Sequence, residues 1–368
     1  MKEGRKSLIS LVVAKSHFMM ANDRFQMTQR LLSLVLAGMV ALGSWVVSWG
    51  QGKARVEVSF EERLVATVPE WVRWPSEDFF TFSPDGRRVA YAIQLSGKQF
   101  IMVDGRREGP FDEVAAPVFS PDGNRVAYIG ILSRRWVAVV DGKRSPWSEL
   151  LHPPVFSADG GSVAYGAQQE GKWSIVVDGR KGPEFDLVGP PVFSPDGKTV
   201  AYAVDQGGKG FIVVGEEQGP EFDRVWTPIF SPGGKTIAYP AMEKDQWLLV
   251  MGEDKGEVFD SIEQLTFSPD GSTIAYVASQ GRKQFMVAGG QRGPEFDRVD
   301  RPVFSSDGSK LAYVAQEGEK QFVVSAGQKG EEFDFVEDPV FSPDGRVVAY
   351  VATQKGKDFL VVGRNRGP

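Results

Sequence analysis

The chain alternates short apolar runs with turn-forming residues over most of its length. In one representative stretch, residues 191–194, 200–204 and 211–214 are apolar runs rich in β-branched and aromatic residues. Residues 221–225 form a shorter and more polar fourth run. A Pro-Asp-Gly triplet separates the first two runs, and its glycine accepts the positive φ that closes a hairpin turn. The pattern predicts four short antiparallel strands in this stretch.

The same stretch recurs with a fixed period of 37 residues. Each repeat contains Phe-Ser-Pro-Asp-Gly or a close variant, and the phenylalanines are Phe82, Phe119, Phe156, Phe193, Phe230, Phe267, Phe304 and Phe341. An Ala-Tyr pair follows in phase and supplies every tyrosine of the chain: Tyr91, Tyr128, Tyr165, Tyr202, Tyr239, Tyr276, Tyr313 and Tyr350. A fixed period of roughly 20 to 50 residues is typical of solenoids, propellers and arrays. The sequence therefore predicts eight structural repeats.

The repeat resembles the TolB-like, WD40-like repeats called PD40, which share the Phe-Ser-Pro-Asp-Gly and Val-Ala-Tyr motifs. The resemblance covers residues 82–368 and implies a β-propeller. This chain departs from it in having eight copies, where TolB itself looks six-bladed, and in an added Gly-Pro-Glu-Phe-Asp signature at 182–186, 219–223 and 293–297. The predicted fold is all-β: an eight-bladed β-propeller of four-stranded antiparallel blades, preceded by one N-terminal hydrophobic helix. A β-solenoid and a set of separate sandwiches are the alternatives.

The ring of blades is expected to close with a strand from the start of the array. Eight full repeats counted from Phe82 would extend past Pro368, so the last repeat lacks its fourth strand. Residues 69–74 resemble residues 294–299, which belong to a fourth strand in the predicted pattern. Pairing this segment with the last three strands would remove an open sheet edge.

The sequence pattern of the N-terminal region predicts that the protein is exported. Residues 31–49 are apolar and uncharged, and a basic stretch precedes them. This describes a secretory signal or a minimal membrane span; a buried helix is the alternative. We divide the chain into a basic extension upstream of the true start (1–26), a signal peptide or membrane anchor (27–50), a linker (51–68) and the propeller (69–368). The expected location is periplasmic or extracellular, with residues 31–49 as an inner-membrane anchor if they are not cleaved.

Composition narrows the expected partners. The formal net charge is −6. Without the basic N-terminal stretch, the repeats alone are more acidic than the whole chain, so we expect no nucleic-acid partner. The lack of cysteine excludes disulfides, thiolate metal ligands and cysteine nucleophiles. We expect no cofactor and no metal, membrane contact only through the N-terminal hydrophobic segment, and a monomer.

Candidate catalytic groups are few. The array contains one histidine, His152, so a Ser-His-Asp triad would have to use it. One aspartate stands in each turn motif except the fifth, where Gly233 replaces it, and we interpret these as turn formers rather than calcium ligands. A second periodic set is expected to cap loops or bond backbone: Asp186, Asp223, Asp260, Asp297 and Asp334.

Binding is expected where the repeats differ, in the connections between blades that ring the mouth of the central channel. The candidate ligand-binding residues are Asp78, Phe79, His152, Trp226, Glu263, Gln264, Asp300, Arg301, Glu337 and Asp338. They predict an acidic arc from blades six to one, facing a neutral arc that carries His152 and Trp226. The alternative is that these positions differ between repeats only because they are exposed to solvent and no function constrains them.

The sequence thus predicts an exported, non-catalytic propeller that binds a protein, peptide or glycan on its variable face. One alternative is a propeller enzyme, a hydrolase or lyase, that uses channel-mouth carboxylates such as Asp78, Glu263, Asp300 and Glu337. The other is a structural envelope protein.

Overall fold

The computed structural model describes residues 9–17, 46–47, 56–57, 59–68, 80–363 and 365–366. Every regular element in these residues is a β-strand. The chain forms two compact units, Met1–Pro110 and Phe111–Pro368. The prediction of an all-β protein is therefore confirmed for the described part of the chain.

The first unit contains two strand pairs and one larger sheet. Ile9–His17 pairs antiparallel with Ser59–Val68, and Val46–Val47 pairs antiparallel with Val56–Glu57. Sheet 1 consists of four antiparallel strands: Phe80–Phe82, Val89–Leu95, Lys98–Val103 and Arg106–Phe111.

Two predictions for the N-terminal region fall on residues outside this description. Of the predicted hydrophobic helix at 31–49, only Val46–Val47 is described. The predicted closing strand at 69–74 lies wholly outside the described residues. Where the chain is described, it contains no helix that is both long and apolar enough to cross a membrane.

The second unit contains seven further sheets in its described residues, each with the same antiparallel strand order. Sheet 2 consists of Glu113–Val114, Val118–Phe119, Val126–Leu132, Arg135–Val140 and Lys143–Arg144. Sheet 3 consists of Leu150–Leu151, Val155–Phe156, Val163–Gln169, Lys172–Val177 and Arg180–Lys181. Sheet 4 consists of Leu187–Val188, Val192–Phe193, Val200–Gln206, Lys209–Val214 and Glu217–Gln218. Sheet 5 consists of Arg224–Val225, Ile229–Phe230, Ile237–Glu243, Gln246–Met251 and Asp254–Phe259.

The last three sheets have the same antiparallel strand order. Sheet 6 consists of Ser261–Phe267, Ile274–Gln280, Lys283–Ala288 and Gln291–Phe296. Sheet 7 consists of Arg298–Phe304, Leu311–Glu317, Lys320–Ser325 and Gln328–Lys329. Sheet 8 consists of Phe335–Val336, Val340–Phe341, Val348–Gln354, Lys357–Val362 and Asn365–Arg366. Asn365–Arg366 pairs with Lys357–Val362 as a short fourth strand, so the prediction that the last repeat lacks its fourth strand is wrong.

The first strand of each sheet in the second unit is broken or bulged at its middle. In sheets 2, 3, 4, 5 and 8 two short segments pair with the same second strand, and in sheets 6 and 7 one strand shifts register, between Glu263 and Thr266 and between Asp300 and Val303. A proline stands at this point in every sheet of the unit except sheet 6, which has Leu265. Proline has no N–H to donate, so the ladder between the first two strands is interrupted there.

The chain crosses between sheets earlier than the sequence predicts. Residues 221–225 were predicted to be one fourth strand, but Phe222 and Gly210 exchange backbone hydrogen bonds at 2.8 and 2.9 Å within sheet 4. The next N–H, that of Asp223, donates to the carbonyl of Met242 in sheet 5 at 2.9 Å. Arg224–Val225 therefore begins sheet 5, because its backbone groups find their partners in that sheet.

The turn between the first and second strands is held by one serine and one aspartate. The buried Ser194 hydroxyl donates to Asp196 Oδ1 at 2.6 Å and accepts from the Thr199 N–H at 3.0 Å. The bond from Ser194 holds the pKa of Asp196 below its ordinary value. The same bond recurs in the described residues at Ser83–Asp85, Ser120–Asp122, Ser157–Asp159, Ser268–Asp270, Ser305–Asp307 and Ser342–Asp344. The interpretation of these aspartates as turn formers is confirmed.

Consecutive sheets of the second unit pack face to face through the Ala-Tyr pairs. Ala164 of sheet 3 lies in one buried cluster with Tyr202 of sheet 4. Tyr165, the other member of the pair, packs on the opposite face with Ile129 of sheet 2. The same contact of alanine with the next tyrosine recurs for Ala238 and Tyr276, Ala275 and Tyr313, and Ala312 and Tyr350. A small face against a large one lets neighbouring sheets interdigitate at high density.

Candidate ligand-binding site on the first strands

Four of the predicted ligand-binding residues lie inside first strands: Glu263, Gln264, Asp300 and Arg301. Four more lie between the two segments of a broken first strand: His152, Trp226, Glu337 and Asp338. Asp78 and Phe79 lie outside the described residues. The predicted placement in connections between blades is wrong for Glu263, Gln264, Asp300 and Arg301, which lie within strands. His152 and Trp226 sit where the first strand is broken, and their N–H groups donate to second-strand carbonyls at 2.8 and 3.0 Å. The proline two residues after each of them interrupts the ladder, and in the sequence such an interruption resembles a loop.

Four of the predicted residues form one hydrogen-bonded cluster, the polar group: Gln264, Asp300, Arg301 and Asp338. Gln264 Nε2 donates to Asp300 Oδ1, and Gln264 Oε1 accepts from the Arg301 N–H at 2.7 Å. Arg301 Nε lies 2.9 Å from Asp338 Oδ1. Because its members come from sheets 6, 7 and 8, the polar group connects three consecutive sheets.

Two further residues belong to this site, and sequence reasoning missed both. Arg298 Nη2 lies 2.9 Å from Asp300 Oδ2, and Arg301 Nη1 donates to the carbonyl oxygen of Val336 at 3.1 Å. Arg298 stands two residues before Asp300, a spacing that places both side chains on one face of a strand and could have signalled the pair. No sequence signal points to a backbone carbonyl such as that of Val336.

The backbone of the polar group is strained at two positions. Gln264 and Arg301 have φ values of +54° and +60°, in the left-handed region that residues other than glycine and asparagine rarely adopt. Such strain costs on the order of 1 kcal/mol and persists only where the surroundings fix it. Here the bond from the Arg301 N–H to the Gln264 side chain joins the two strained residues. The site is thereby held in one geometry.

An open depression of about 420 Å³ lies beside the polar group. The residues that line it are Gln264, Leu265, Thr266, Arg301, Pro302, Val303, Asp338 and Pro339.

The predicted acidic arc is partly neutralised. Asp300 accepts bonds from Gln264 and Arg298, its side chain is only 17% exposed, and Asp338 is paired with Arg301. Glu263 and Glu337 are exposed, and their side chains make no hydrogen bond or ion pair within the described residues. The sequence identified the carboxylates Glu263, Asp300, Glu337 and Asp338, but it could not show which of them the two arginines would bind.

His152 is not part of the polar group. Its ring stacks on Trp173 with centroids 4.5 Å apart, and it lies over Gly166, where an added Cβ would come within 2.5 Å of His152 Nδ1. That Nδ1 is buried and has no hydrogen-bond partner in the described structure. Burial lowers the pKa of His152, and a backbone hydrogen bond with Gly189 opposes the shift in part.

We expect His152 to make folding stability fall in mild acid. Because the pKa of His152 is lowered in the folded state, its contribution is fully present above the ordinary histidine pKa of about 6.5 and is lost as pH falls below that value. His152→Phe keeps the ring against Trp173 and removes the titrating nitrogen. Urea midpoints at pH 7.5 and 5.5 should therefore differ more for the wild type than for the variant. An equal drop in both would show that other groups cause the acid sensitivity.

Trp226 supplies the most exposed large apolar side chain of the described residues. It is 60% exposed and lies beside the partly buried Trp247 of the same sheet, with ring centroids 5.8 Å apart. A tryptophan that is supported on one side and open on the other suits a contact with a ligand.

The second periodic set of aspartates is structural. Asp223 Oδ1 lies 2.9 Å from Lys209 Nζ, and its Oδ2 accepts from the Lys244 N–H at 2.9 Å in the turn between the second and third strands. The bond from Lys209 is the main cause that lowers the pKa of Asp223. Matching lysine pairs occur at Lys172–Asp186, Lys283–Asp297 and Lys320–Asp334. The predicted backbone-bonding role of these aspartates is confirmed.

The described residues contain no group of three or more histidine, aspartate or glutamate side chains placed to hold a metal ion. The sheets and turns define the class: an all-β repeat protein of antiparallel sheets with a 37-residue period.

No protein family and no curated protein matches the sequence. Similar solved structures include the Dos1 propeller (10% identity, 81% of this chain and 96% of that chain, TM-score 0.43). They also include TolB from Acinetobacter baumannii (18%, 67% and 65%, 0.33) and the β-propeller domain of the Trilobed protease from Pyrococcus furiosus (16%, 69% and 96%, 0.38). At these identities and TM-scores, the similarities carry no argument about the ligand or the chemistry.

Proposed function

We propose that this chain is an exported, non-catalytic, eight-bladed β-propeller of the PD40 type that binds a ligand at its first strands. The propeller assignment is supported by the fixed repeat and by sheets that pack consecutively, as Ala164 and Tyr202 show for sheets 3 and 4. In such a ring the first strands face the central channel. Export to the periplasm or beyond is supported by the basic stretch followed by the apolar residues 31–49.

The observation that carries the binding function is the polar group beside its depression. The turn aspartates bind serines, and the second periodic set binds lysines and turn backbone, so both sets are accounted for by folding. The polar group occurs once in the described residues and joins three sheets through residues that no other repeat shares. Side chains fixed by one another around an open volume are typical of a binding site.

The catalytic alternative is less well supported. Asp300 is held by Gln264 and Arg298, and Asp338 by Arg301, so these carboxylates are committed to hydrogen bonds. Hydrolysis by a carboxylate pair needs one group to donate a proton and another to attack or to activate water. The observed pairing instead suits a fixed surface for recognition.

We expect substitutions on the first strands to separate affinity from stability. In a pull-down from envelope extracts with the full chain as bait, Trp226→Ala and the double change Glu337→Lys with Asp338→Lys should each weaken capture about tenfold. Because all three side chains are exposed, stability should change by about 0.5 kcal/mol or less, as measured by thermal melting.

The matched control is Lys198→Glu, beside the turn between the first and second strands of sheet 4. This change should leave capture intact. If Lys198→Glu abolishes capture and the first-strand variants do not, the proposed site is on the wrong surface.

A further inference from the structure

The polar group and its neighbour Arg298 form a balanced set of charges. Arg298 and Arg301 carry two positive charges, and Asp300 and Asp338 carry two negative charges, all within one bonded cluster. The unpaired carboxylates Glu263 and Glu337 are not among the residues that line the depression. The depression therefore presents polar atoms without a net charge, which disfavours a strongly ionic ligand.

Arg301 and Asp338 both line the depression, and each keeps one polar atom without a partner in the described residues. Arg301 uses Nε for Asp338 and Nη1 for the Val336 carbonyl, and within the described residues Nη2 makes no hydrogen bond. Asp338 uses Oδ1, and its side chain is 76% exposed. Adjacent donors on a planar guanidinium and acceptors on a carboxylate can bind two neighbouring hydroxyl groups at once.

Apart from Thr266, the other lining residues are apolar. Leu265, Pro302, Val303 and Pro339 line the depression together with the polar group. The ligand that fits should therefore have a C–H surface on one side and hydroxyl groups along its edge. A pyranose ring has this distribution, whereas an extended peptide would bring backbone N–H and C=O groups against the apolar side without partners.

We propose that this depression binds a neutral sugar residue of a glycan. The proposal rests on the binding function given above and names its ligand class. Arg301 Nη2 donates to one hydroxyl oxygen and Asp338 accepts from the neighbouring hydroxyl, while the ring lies against the prolines. The strained, mutually bonded Gln264 and Arg301 hold this geometry before the ligand arrives, which lowers the entropic cost of binding.

The test uses the full chain, labelled and kept in mild detergent. It is applied to an array of neutral hexose and N-acetylhexosamine oligosaccharides, to uronic-acid oligosaccharides, and to a parallel array of short peptides. We expect binding to at least one neutral oligosaccharide, with a Kd that changes less than about twofold between roughly 0.05 and 0.5 M NaCl. Arg301→Gln should lower affinity about tenfold or more.

Asp338→Asn is a second variant in case Arg301→Gln fails to fold. Asp338 is exposed, and the asparagine amide keeps the shape of the aspartate side chain. It should also weaken sugar binding, whereas Lys198→Glu should not. Absence of binding to every neutral oligosaccharide, or binding that both first-strand variants retain, would overturn the proposal. Peptide binding that Arg301→Gln removes and Lys198→Glu keeps would overturn the sugar assignment and leave the binding function standing. If every variant binds all probes as the wild type does, both the sugar assignment and the proposed binding site are wrong.

Discussion

Replacing Tyr202 by alanine is expected to lower the free energy of unfolding by about 3 kcal/mol, as emptying a buried aromatic site usually does. Tyr202 is 4% exposed and lies in the cluster between sheets 3 and 4 with Ala164 and Phe211. Its ring also meets Phe185 edge-on at 6.3 Å. Truncation would leave a cavity between two rigid sheets that cannot collapse into it. Chemical denaturation followed by tryptophan fluorescence measures the loss.

Tyr202→Phe is the matched control. It keeps the ring and removes only the hydroxyl, so the loss should stay below about 1.5 kcal/mol. A loss below about 0.5 kcal/mol for Tyr202→Ala would contradict the packing of sheet 4 on sheet 3, since only surface substitutions usually cost so little.

Gly210→Ala is expected to destabilise the fold by about 1–3 kcal/mol, the usual cost of forcing atoms into a filled space. A Cβ at Gly210 would lie 2.8 Å from the Val225 nitrogen and 3.0 Å from the backbone of Arg224. These are backbone atoms, so they cannot move aside as a side chain can. Gly210 also exchanges backbone bonds with Phe222, so displacement would disturb the point at which the chain passes from sheet 4 to sheet 5.

The control for this change is Gly233→Ala in the turn of sheet 5. No atom lies within 4 Å of an added Cβ there, and Gly233 is not among the glycines with positive φ. The alanine should leave stability unchanged or raise it by about 0.4–1 kcal/mol, because it restricts the unfolded chain. Equal melting temperatures for both variants would show that the contact between Gly210 and Val225 is not as close as described.

The sequence predicted the repeated sheets because their determinants are local. The Ser-Pro-Asp-Gly turn closes through contacts between residues at most five positions apart, such as Ser194 with Asp196 and with Thr199. The opposite faces of the Ala-Tyr pair follow from the period of two in a strand. Turn type, strand direction and the buried residues of the second and third strands were therefore readable from one repeat.

The crossing between sheets was not readable in this way. Residues 221–225 look like one strand, and only the partners of their backbone groups divide them between Gly210 in sheet 4 and Met242 in sheet 5. Likewise, the broken first strands resembled loops, although their N–H groups bond to the second strand.

The sequence by itself determined that Gln264, Asp300, Arg301 and Asp338 depart from the repeat, and this marked them as candidates. It could not show that they meet, since Gln264 and Asp300 are 36 positions apart and touch only when sheets 6 and 7 pack together. Tertiary structure alone decided that Arg301 would bind Asp338 and cancel its charge. Pairwise electrostatics depends on distances of a few ångströms, and the packing of separate sheets sets those distances.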